Sequence, residues 1–502
     1  MVDSGFFDRG RRELLLVSIV AAFLVLVRSF TATWYEQFEF NADQAIVGLM
    51  AKHLADGRAF PLFFYGQHYM LGVQAWIAAP FVALGGPTVF MLRLPLVIIN
   101  GAVAVLLIVL LKKFAGLRPV LSLAAALPFL MPTPIVASRL LQTLGASVEP
   151  FLYVLVLWAL RRKPIAFGLV LAIGVLHREF TIFAIPALLA VMALEGSLFT
   201  RTTLERALTA LVTIISVWIV VDLLKTKVDV YGPATGRLEN GPLSLEIQSM
   251  LGRVCVEPRA LFAHLRSLVV DCVPALFGAR RFPLADFGMN STLGAGTAVT
   301  GWLLVTAGVF AGVRLILVSK FSPPVGATAF PLYLGLIGVQ ALAVYPLSCE
   351  IIPGLPAIVR YVLLGLFVPI ALAAVYLKRE TVPLFRHVAV AVLVAWSAIN
   401  LIDNLRVVQE YRGSTQRDPW RELVEYLEAH SIRYAHADYW DAYMIDFLSG
   451  ERVIVSSDAK VRVREYQQLV DQNAARAVHI RRMPCSSGVR LVAWCIDPPP
   501  ER

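Results

Sequence analysis

About eleven stretches of this chain are apolar for long enough, or nearly long enough, to cross a lipid bilayer, and that pattern excludes most other architectures. They fall at 14–33, 89–111, 119–137, 146–160, 164–176, 180–197, 207–224, 296–317, 328–347, 356–377 and 386–402. A span needs about 20 apolar residues, because a helix rises ~1.5 Å per residue through a hydrocarbon layer ~30 Å thick. Backbone in lipid must satisfy its own hydrogen bonds, so such runs become helices. The fourth and fifth runs are short. Fusing the fifth and sixth into one helix over 164–197 would set His177, Arg178 and Glu179 at mid-bilayer, a costly place for ionisable groups. Two spans with a turn at His177 is the less costly arrangement.

Composition matters here through its distribution. The chain is 58% hydrophobic and 16% charged, against about a quarter charged in soluble domains. Its net charge of +10 is therefore first a question of where Lys and Arg fall around the spans. Arg9, Arg11 and Arg12 precede the first run, Lys112, Lys113 and Arg118 follow the second, and Arg161, Arg162 and Lys163 follow the fourth. Arg201 and Arg206 follow the sixth, Lys320 the eighth, and Lys378, Arg379 and Arg386 the tenth. Every second loop is short and basic. This predicts an integral, multi-pass protein of the cytoplasmic (inner) membrane with those loops and the N-terminus inside. The expected partners are membrane lipids, with no nucleic acid. The first run has the length of a signal-peptide core, but no small-x-small cleavage site follows it, so it reads as an uncleaved anchor.

An odd number of spans puts the C-terminus outside, together with the loop at 34–95, the turn at 139–149 and the long loop at 225–293. In the first loop Asp43 opens the segment AIVGLMAKHLADG, an aromatic loop follows, and a second half-buried helix leads to Arg93-Leu94-Pro95. Two short amphipathic helices at a membrane surface are expected there. In the long loop, PRALFAHLRSLVVDCVPALFG has helical periodicity and is expected to lie along the membrane, after a part broken by Gly232, Pro233, Gly236, Gly241 and Pro242. Composition changes abruptly after the last span. The predicted division is a transmembrane domain at 1–402 and a small α/β domain with a mainly parallel sheet at 403–502. In that tail Asp418 and Pro419 open a helix, Gly450 stops another, and VRLVAWCI is the last strand. All five cysteines fall on the outer side, so Cys255–Cys272 and Cys485–Cys495 are expected as local bridges with Cys349 free, five unpaired thiols being the alternative. No zinc spacing, Gly-rich phosphate loop or internal repeat is visible.

Few polar groups in this setting could carry chemistry. Asp43 sits just outside the first span, where it could be a general base, a metal ligand or simply a helix N-cap. Glu149 precedes Pro150 at an outer helix end, either as a second acid or as a carboxylate favoured by the helix dipole. Arg178, within the turn His177-Arg178-Glu179, could hold a phosphate, pair with Glu179 or a nearby carboxylate, or simply be solvated. Arg360-Tyr361 enters a late span, where the arginine needs an anion or must snorkel to the headgroups. Two carboxylates, two arginines and an aromatic loop thus converge on one face of the membrane. That set suits a lipid phosphate as leaving group and a hydroxyl or amine as nucleophile.

On these residues the chain resembles bacterial members of the GT-C glycosyltransferase superfamily, whose relatives include the protein O-mannosyltransferases and the lipid A aminoarabinose transferases. The resemblance is carried by Phe40-Asn41-Ala42-Asp43-Gln44, by Phe64-Tyr65-Gly66-Gln67-His68-Tyr69-Met70, by Leu92-Arg93-Leu94-Pro95, by Glu149, by Arg360-Tyr361, and by the stretch from Gly450 to Val455. It implies an α-helical polytopic membrane protein, GT-C-like, with outer juxtamembrane helices. It also implies an inverting transferase that moves a sugar from a polyprenyl-phosphate or diphosphate donor to a lipid, glycan or protein acceptor on the outer face. Asp43 would then be the catalytic acid/base and Glu149 a second acid of the pocket. Arg178 and Arg360, with His177 and Tyr361, would bind the donor phosphate. Tyr65, Gln67, His68, Tyr69 and Arg93 would line the substrate pocket. The family's acidic pair is here Asp43-Gln44, and its Lys or aromatic at the charged turn is here His177-Arg178-Glu179. A divalent metal on Asp43 is left open, and no other cofactor is expected. The alternative is a transporter or flippase of lipid-linked sugars, which would place its site near the midplane and show internal repeats.

Overall fold

The computed structural model describes residues 4–36, 38–67, 69–144, 147–225, 228, 254–278, 284–286, 289–291, 298–318, 326–349, 351, 356–413, 418–485 and 488–498. Helix α1 runs Ser4–Trp34, α2 Ala42–Ala55, α3 Val73–Gly85 and α4 Val89–Ala115. Helices at Pro119–Leu130, Glu149–Leu160, Pro164–His177, Ala184–Leu194, Arg201–Lys225, Ala298–Val318, Ala329–Val344, Phe367–Arg379 and Pro383–Gly413 follow the remaining apolar runs. The chain breaks at Arg178 as expected, with one helix on each side of a 3-10 turn at Glu179–Phe183.

Among the described residues seven helices are long and apolar enough to cross a membrane by length and composition. Six of them coincide with predicted spans, and the other predicted spans fall on shorter apolar helices. The seventh, Pro258–Phe277, is the segment expected to lie along the membrane, and it qualifies by length and composition only. Its end is tied into the bundle by Trp396 Nε1 donating to the carbonyl of Phe277 at 2.9 Å. Leu15, Ile19, Phe23 and Leu26 on α1, with Leu208, Leu211, Ile215 and Ile219 on Arg201–Lys225, are exposed. Contiguous apolar stripes of this kind face lipid rather than water. The interior is filled by Leu107, Phe129, Phe151, Trp158, Phe330 and Phe367.

The basic loops gather at one end of this bundle. The Arg161 guanidinium lies 4.7 Å from the Phe114 ring centroid and 4.2 Å from that of Trp158. Lys378 Nζ donates to the carbonyl of Gly116 at 3.1 Å. Arg178 lies at the other end of the helix that Lys163 begins. The alternation of basic loops in the sequence is thus an alternation of ends in space.

The tail folds on the opposite end. β1, Leu284–Asp286, and β2, Met289–Ser291, form a separate hairpin. β3, Tyr434–Ala437, β4, Ile454–Ser457, β5, Val478–Arg482, β6, Val489–Leu491, and β7, Trp494–Asp497, form one sheet in the order β4-β3-β5-β7-β6. The expected mainly parallel sheet is instead mixed: β3 is parallel to β4 and β5, while β7 is antiparallel to β5 and β6. The cause is local. The predicted last strand turns back at Val492, whose φ is 50°, and becomes the hairpin β6–β7. Asp418 caps Pro419–Ala429 through Trp420 N at 3.0 Å, and Gly450, at φ 61°, ends Tyr439–Leu448, both as expected.

The first loop and the tail share one core. Rather than lying on a surface as an amphipathic helix, α2 is buried along most of its length and packs against Tyr439–Leu448. A Cβ at Gly48 would run into the Phe447 ring. Glu451 locks the contact. It accepts from Lys52 Nζ at 2.5 Å, Arg58 Nη1 at 2.9 Å and Tyr466 Oη at 2.7 Å, and pairs with His53 Nε2 at 2.9 Å. Burial alone would raise this carboxyl, but His53, Lys52 and Tyr466 together hold it well below the usual carboxylate range.

Cys485–Cys495 is bridged as expected, but Cys255 pairs with Cys349 and not with Cys272. A backbone bridge between Val254 and Ser348, with Cys255 N donating to Leu347 O at 2.7 Å, brings the distant cysteine alongside. Cys272 is buried in its helix beside Ser267 and Tyr345. Spacing suggested the near partner, and strand-like pairing selected the far one.

Candidate active site

The site begins with how the chain leaves α1. Arg93, buried on α4, donates to the carbonyl of Ala32 and, at 2.7 Å, to that of Phe38, with the Phe40 ring centroid 5.4 Å away. It therefore fixes the path of 32–40 and does not line the cavity described below. Asn41 then caps α2, its side chain accepting from Gln44 N at 3.2 Å. This relieves Asp43 of the capping role. Gln44 uses both ends of its amide: Nε2 donates to Glu39 O at 2.6 Å and Oε1 accepts from Thr143 N at 3.2 Å. A glutamate could not make the first of these bonds, which gives the Asp43-Gln44 departure a structural reason.

Asp43 stands in the first turn of α2, half-buried, and its Oδ1 accepts from Tyr439 Oη at 2.6 Å. Burial, then the neighbouring Asp43 charge, push the Tyr439 hydroxyl far up, so it remains a donor. Asp43 and Tyr439 open onto a cavity of about 480 Å³. The first loop contributes Asp43, Phe64, Gln67, Tyr69 and Met70; the membrane helix ends contribute Arg178, Glu179, Phe180, Arg360 and Tyr361. The tail contributes Asp438, Tyr439, Trp440, Lys460 and Arg462.

Arg178 reaches the cavity because its backbone is extended, with φ −149° and ψ 121°, where the helix Pro164–His177 stops. Its Nε is buried and has no hydrogen-bond partner among the described residues. Glu179, Glu149, Arg360 and Tyr69 all lie within electrostatic reach of it. Arg360 Nη2 donates to Tyr361 Oη at 2.8 Å, and its guanidinium stands 4.9 Å from that ring's centroid.

Other residues singled out in the sequence lie elsewhere. Glu149 is buried at the start of its helix, where Oε1 accepts from Gln74 Nε2 and Oε2 has no partner among the described residues. It does not face the cavity. His177 is buried against Tyr153 Oη at 2.9 Å, and Tyr65 is buried against His53 Nδ1 at 3.0 Å. His68 lies outside the described residues. The Gly and Pro breakers at 232–242 lie outside them too.

Sequence reasoning missed the wall supplied by the tail. Arg462 pins it in place: Nη1 donates to the carbonyls of Tyr65 at 3.3 Å and Gly66 at 3.0 Å, and Nε to Tyr439 Oη at 3.4 Å. The only forewarning was topological parity, which put the tail on the same side as Asp43. Among the described residues no three His, Cys, Asp or Glu side chains are grouped to hold a metal ion. Asp43 Oδ1 is engaged by the Tyr439 hydroxyl.

No family model matches this sequence, and no curated protein matches it. Solved structures do. The crystal structure of ArnT from Cupriavidus metallidurans bound to undecaprenyl phosphate superposes with a TM-score of 0.55 over 96% of this chain and 96% of that chain, at 11% identity. The apo structure of the same protein covers 95% of this chain and 98% of that one, at 12% identity and a TM-score of 0.40. By the first of these likenesses the chain has the fold of that ArnT structure.

Proposed function

We propose that this chain is a membrane glycosyltransferase that moves a sugar, with inversion, from a polyprenyl-phosphate or diphosphate donor to a hydroxyl or amine acceptor on the outer side of the cytoplasmic membrane. The observation that carries this reading is the cavity at the helix ends. In it two arginines within electrostatic reach of each other share one space with a carboxylate held by a phenol. Glu179 and Glu149 offset part of the charge on Arg178, and a phosphate between the two guanidiniums offsets the rest. The leaving group of such a donor is already anionic, so it needs positive charge more than a proton. Arg178 and Arg360 supply it. Asp43 takes the proton of the attacking hydroxyl or amine, which approaches the anomeric carbon opposite the departing phosphate. The ArnT structure of the same fold is bound to undecaprenyl phosphate, which supports a polyprenyl carrier here. A transporter would hold its ligand near the midplane, whereas these groups lie where helices end.

The test is Asp43→Asn, which keeps the shape and leaves the Asn41 cap intact. Sugar release from a labelled polyprenyl-phosphate donor is expected to fall by on the order of 10²-fold or more, the scale of lost acid–base catalysis, with donor binding retained. Near wild-type turnover in this variant, with turnover abolished in Glu149→Gln, would move the base to Glu149.

A further inference from the structure

A second cavity, of about 270 Å³, lies between the helices Pro164–His177, Ala184–Leu194 and Arg201–Lys225, near the basic loops. It arises from how these helices pack. Arg201–Lys225 lies tightly on Pro164–His177, where Gly168 lets the backbone of Ala210 come close. Ala184–Leu194 packs instead on Ala329–Val344. The two outer helices leave a slot between them, walled by Phe167, Leu171, Ile185, Leu188, Leu211 and Ile214. Its polar lining is Arg161, Arg206 and Thr203, all from the end where the basic loops gather. Arg206 is exposed and has no hydrogen-bond or ion-pair partner among the described residues, and Arg161 Nη1 donates to Trp158 O at 2.8 Å. The acids nearby are Glu195, within electrostatic reach of Arg161, and Glu205, which is paired with Arg201 at 2.9 Å.

We infer that this slot binds one phospholipid with an anionic headgroup, its acyl chain between the helices and its phosphate on Arg161 and Arg206. The depth fits. From Thr203 to Ile214 the lining helix rises by about 16 Å, roughly one leaflet of the hydrocarbon core. Charge is what selects the occupant. Lipid tails are as apolar as the leucines around them, so filling the slot gives no hydrophobic preference among lipids. Two arginines at headgroup depth do, because a guanidinium pairs with a phosphate bidentately. This site is at the far end of the bundle from Asp43, and the inference does not depend on what the outer cavity does.

The full chain, purified in detergent, would be mixed with equal amounts of dioleoylphosphatidylglycerol and dioleoylphosphatidylcholine and the retained lipid weighed by native mass spectrometry. The expected result is retention of phosphatidylglycerol by on the order of tenfold over phosphatidylcholine. Arg206→Gln, a change at an exposed position, should cut that preference several-fold, and the double variant with Arg161→Gln should remove it. Ala207→Phe, which fills the slot with both arginines in place, should lose both lipids. Equal retention of the two lipids by the unaltered chain would overturn the inference. So would a preference unchanged in both Arg206→Gln and Ala207→Phe.

Discussion

At the scale of single residues, the contact between Tyr439 and Asp43 most separates what a motif supplies from what folding supplies. Tyr439 holds the acid through its hydroxyl, so on the proposed reading it positions the base. Removing its hydroxyl in Tyr439→Phe leaves the ring packed on Tyr443 and Trp440 but lets the carboxylate turn. The expected outcome in steady-state kinetics is a kcat lower by roughly tenfold or more with the donor KM unchanged. A parallel change in both constants would mean that the hydroxyl serves donor binding as well as the base. Asp418 gives a different test. Burial, opposed by its bond from Trp420 N and assisted by Glu36, raises its carboxyl from the ordinary 3.8 to about 6. The folded chain thus holds this proton more tightly than the unfolded one. The stabilisation is complete below about pH 4 and is lost as pH rises through about 6. Asp418→Asn keeps the cap without the buried charge. Thermal unfolding should show it more stable than the parent at pH 8, by up to roughly 3 kcal/mol, with the gain gone at pH 4.

At the scale of elements, the sequence exposed the membrane helices because an apolar run is a local property. The break at Arg178 was legible for the same reason, since the cost of three ionisable groups at mid-bilayer is computed from neighbours alone. The site was only half legible. Asp43, Arg178 and Arg360 could be placed on one face by parity, but Tyr439 is 396 residues from Asp43, and no periodicity reports a contact over that distance. Glu149 shows the converse. Its position at a helix start was readable, but whether it faced the cavity or Gln74 depended on packing. The joint between α2 and Tyr439–Leu448 is where this hidden information sits, and Gly48 tests it. Gly48→Val places a branched side chain against Phe447, a core ring that cannot swing clear. Overpacking of this kind costs about 1–3 kcal/mol. The expected readout is a lower unfolding temperature together with faster proteolysis of the tail, and an unchanged protease pattern would mean that the joint repacks freely.

At the scale of the whole molecule, the cavity ties the topology to the chemistry. Its walls come from the first loop, from the helix ends at Arg178 and Arg360, and from the tail, so all three must share one side of the membrane. The basic loops at 112–118, 161–163 and 378–379 gather at the other end. On the proposed orientation the first set is outside and the second inside. Native thiols interfere little with a labelling test, since four cysteines are bridged and Cys272 is buried. Gln472 on the tail helix Arg464–Gln472 and Arg162 in a basic loop are both exposed. In spheroplasts, Gln472→Cys should react with a membrane-impermeant maleimide directly, and Arg162→Cys only after permeabilisation. The opposite pattern would invert the orientation, and the proposed transfer would then have to draw its donor from the inner leaflet. Reaction of both without permeabilisation would set the basic loops and the tail on one side. That would break the alternation of ends on which the reading of the spans depends, since helix Pro164–His177 carries Lys163 at one end and Arg178, in the cavity, at the other.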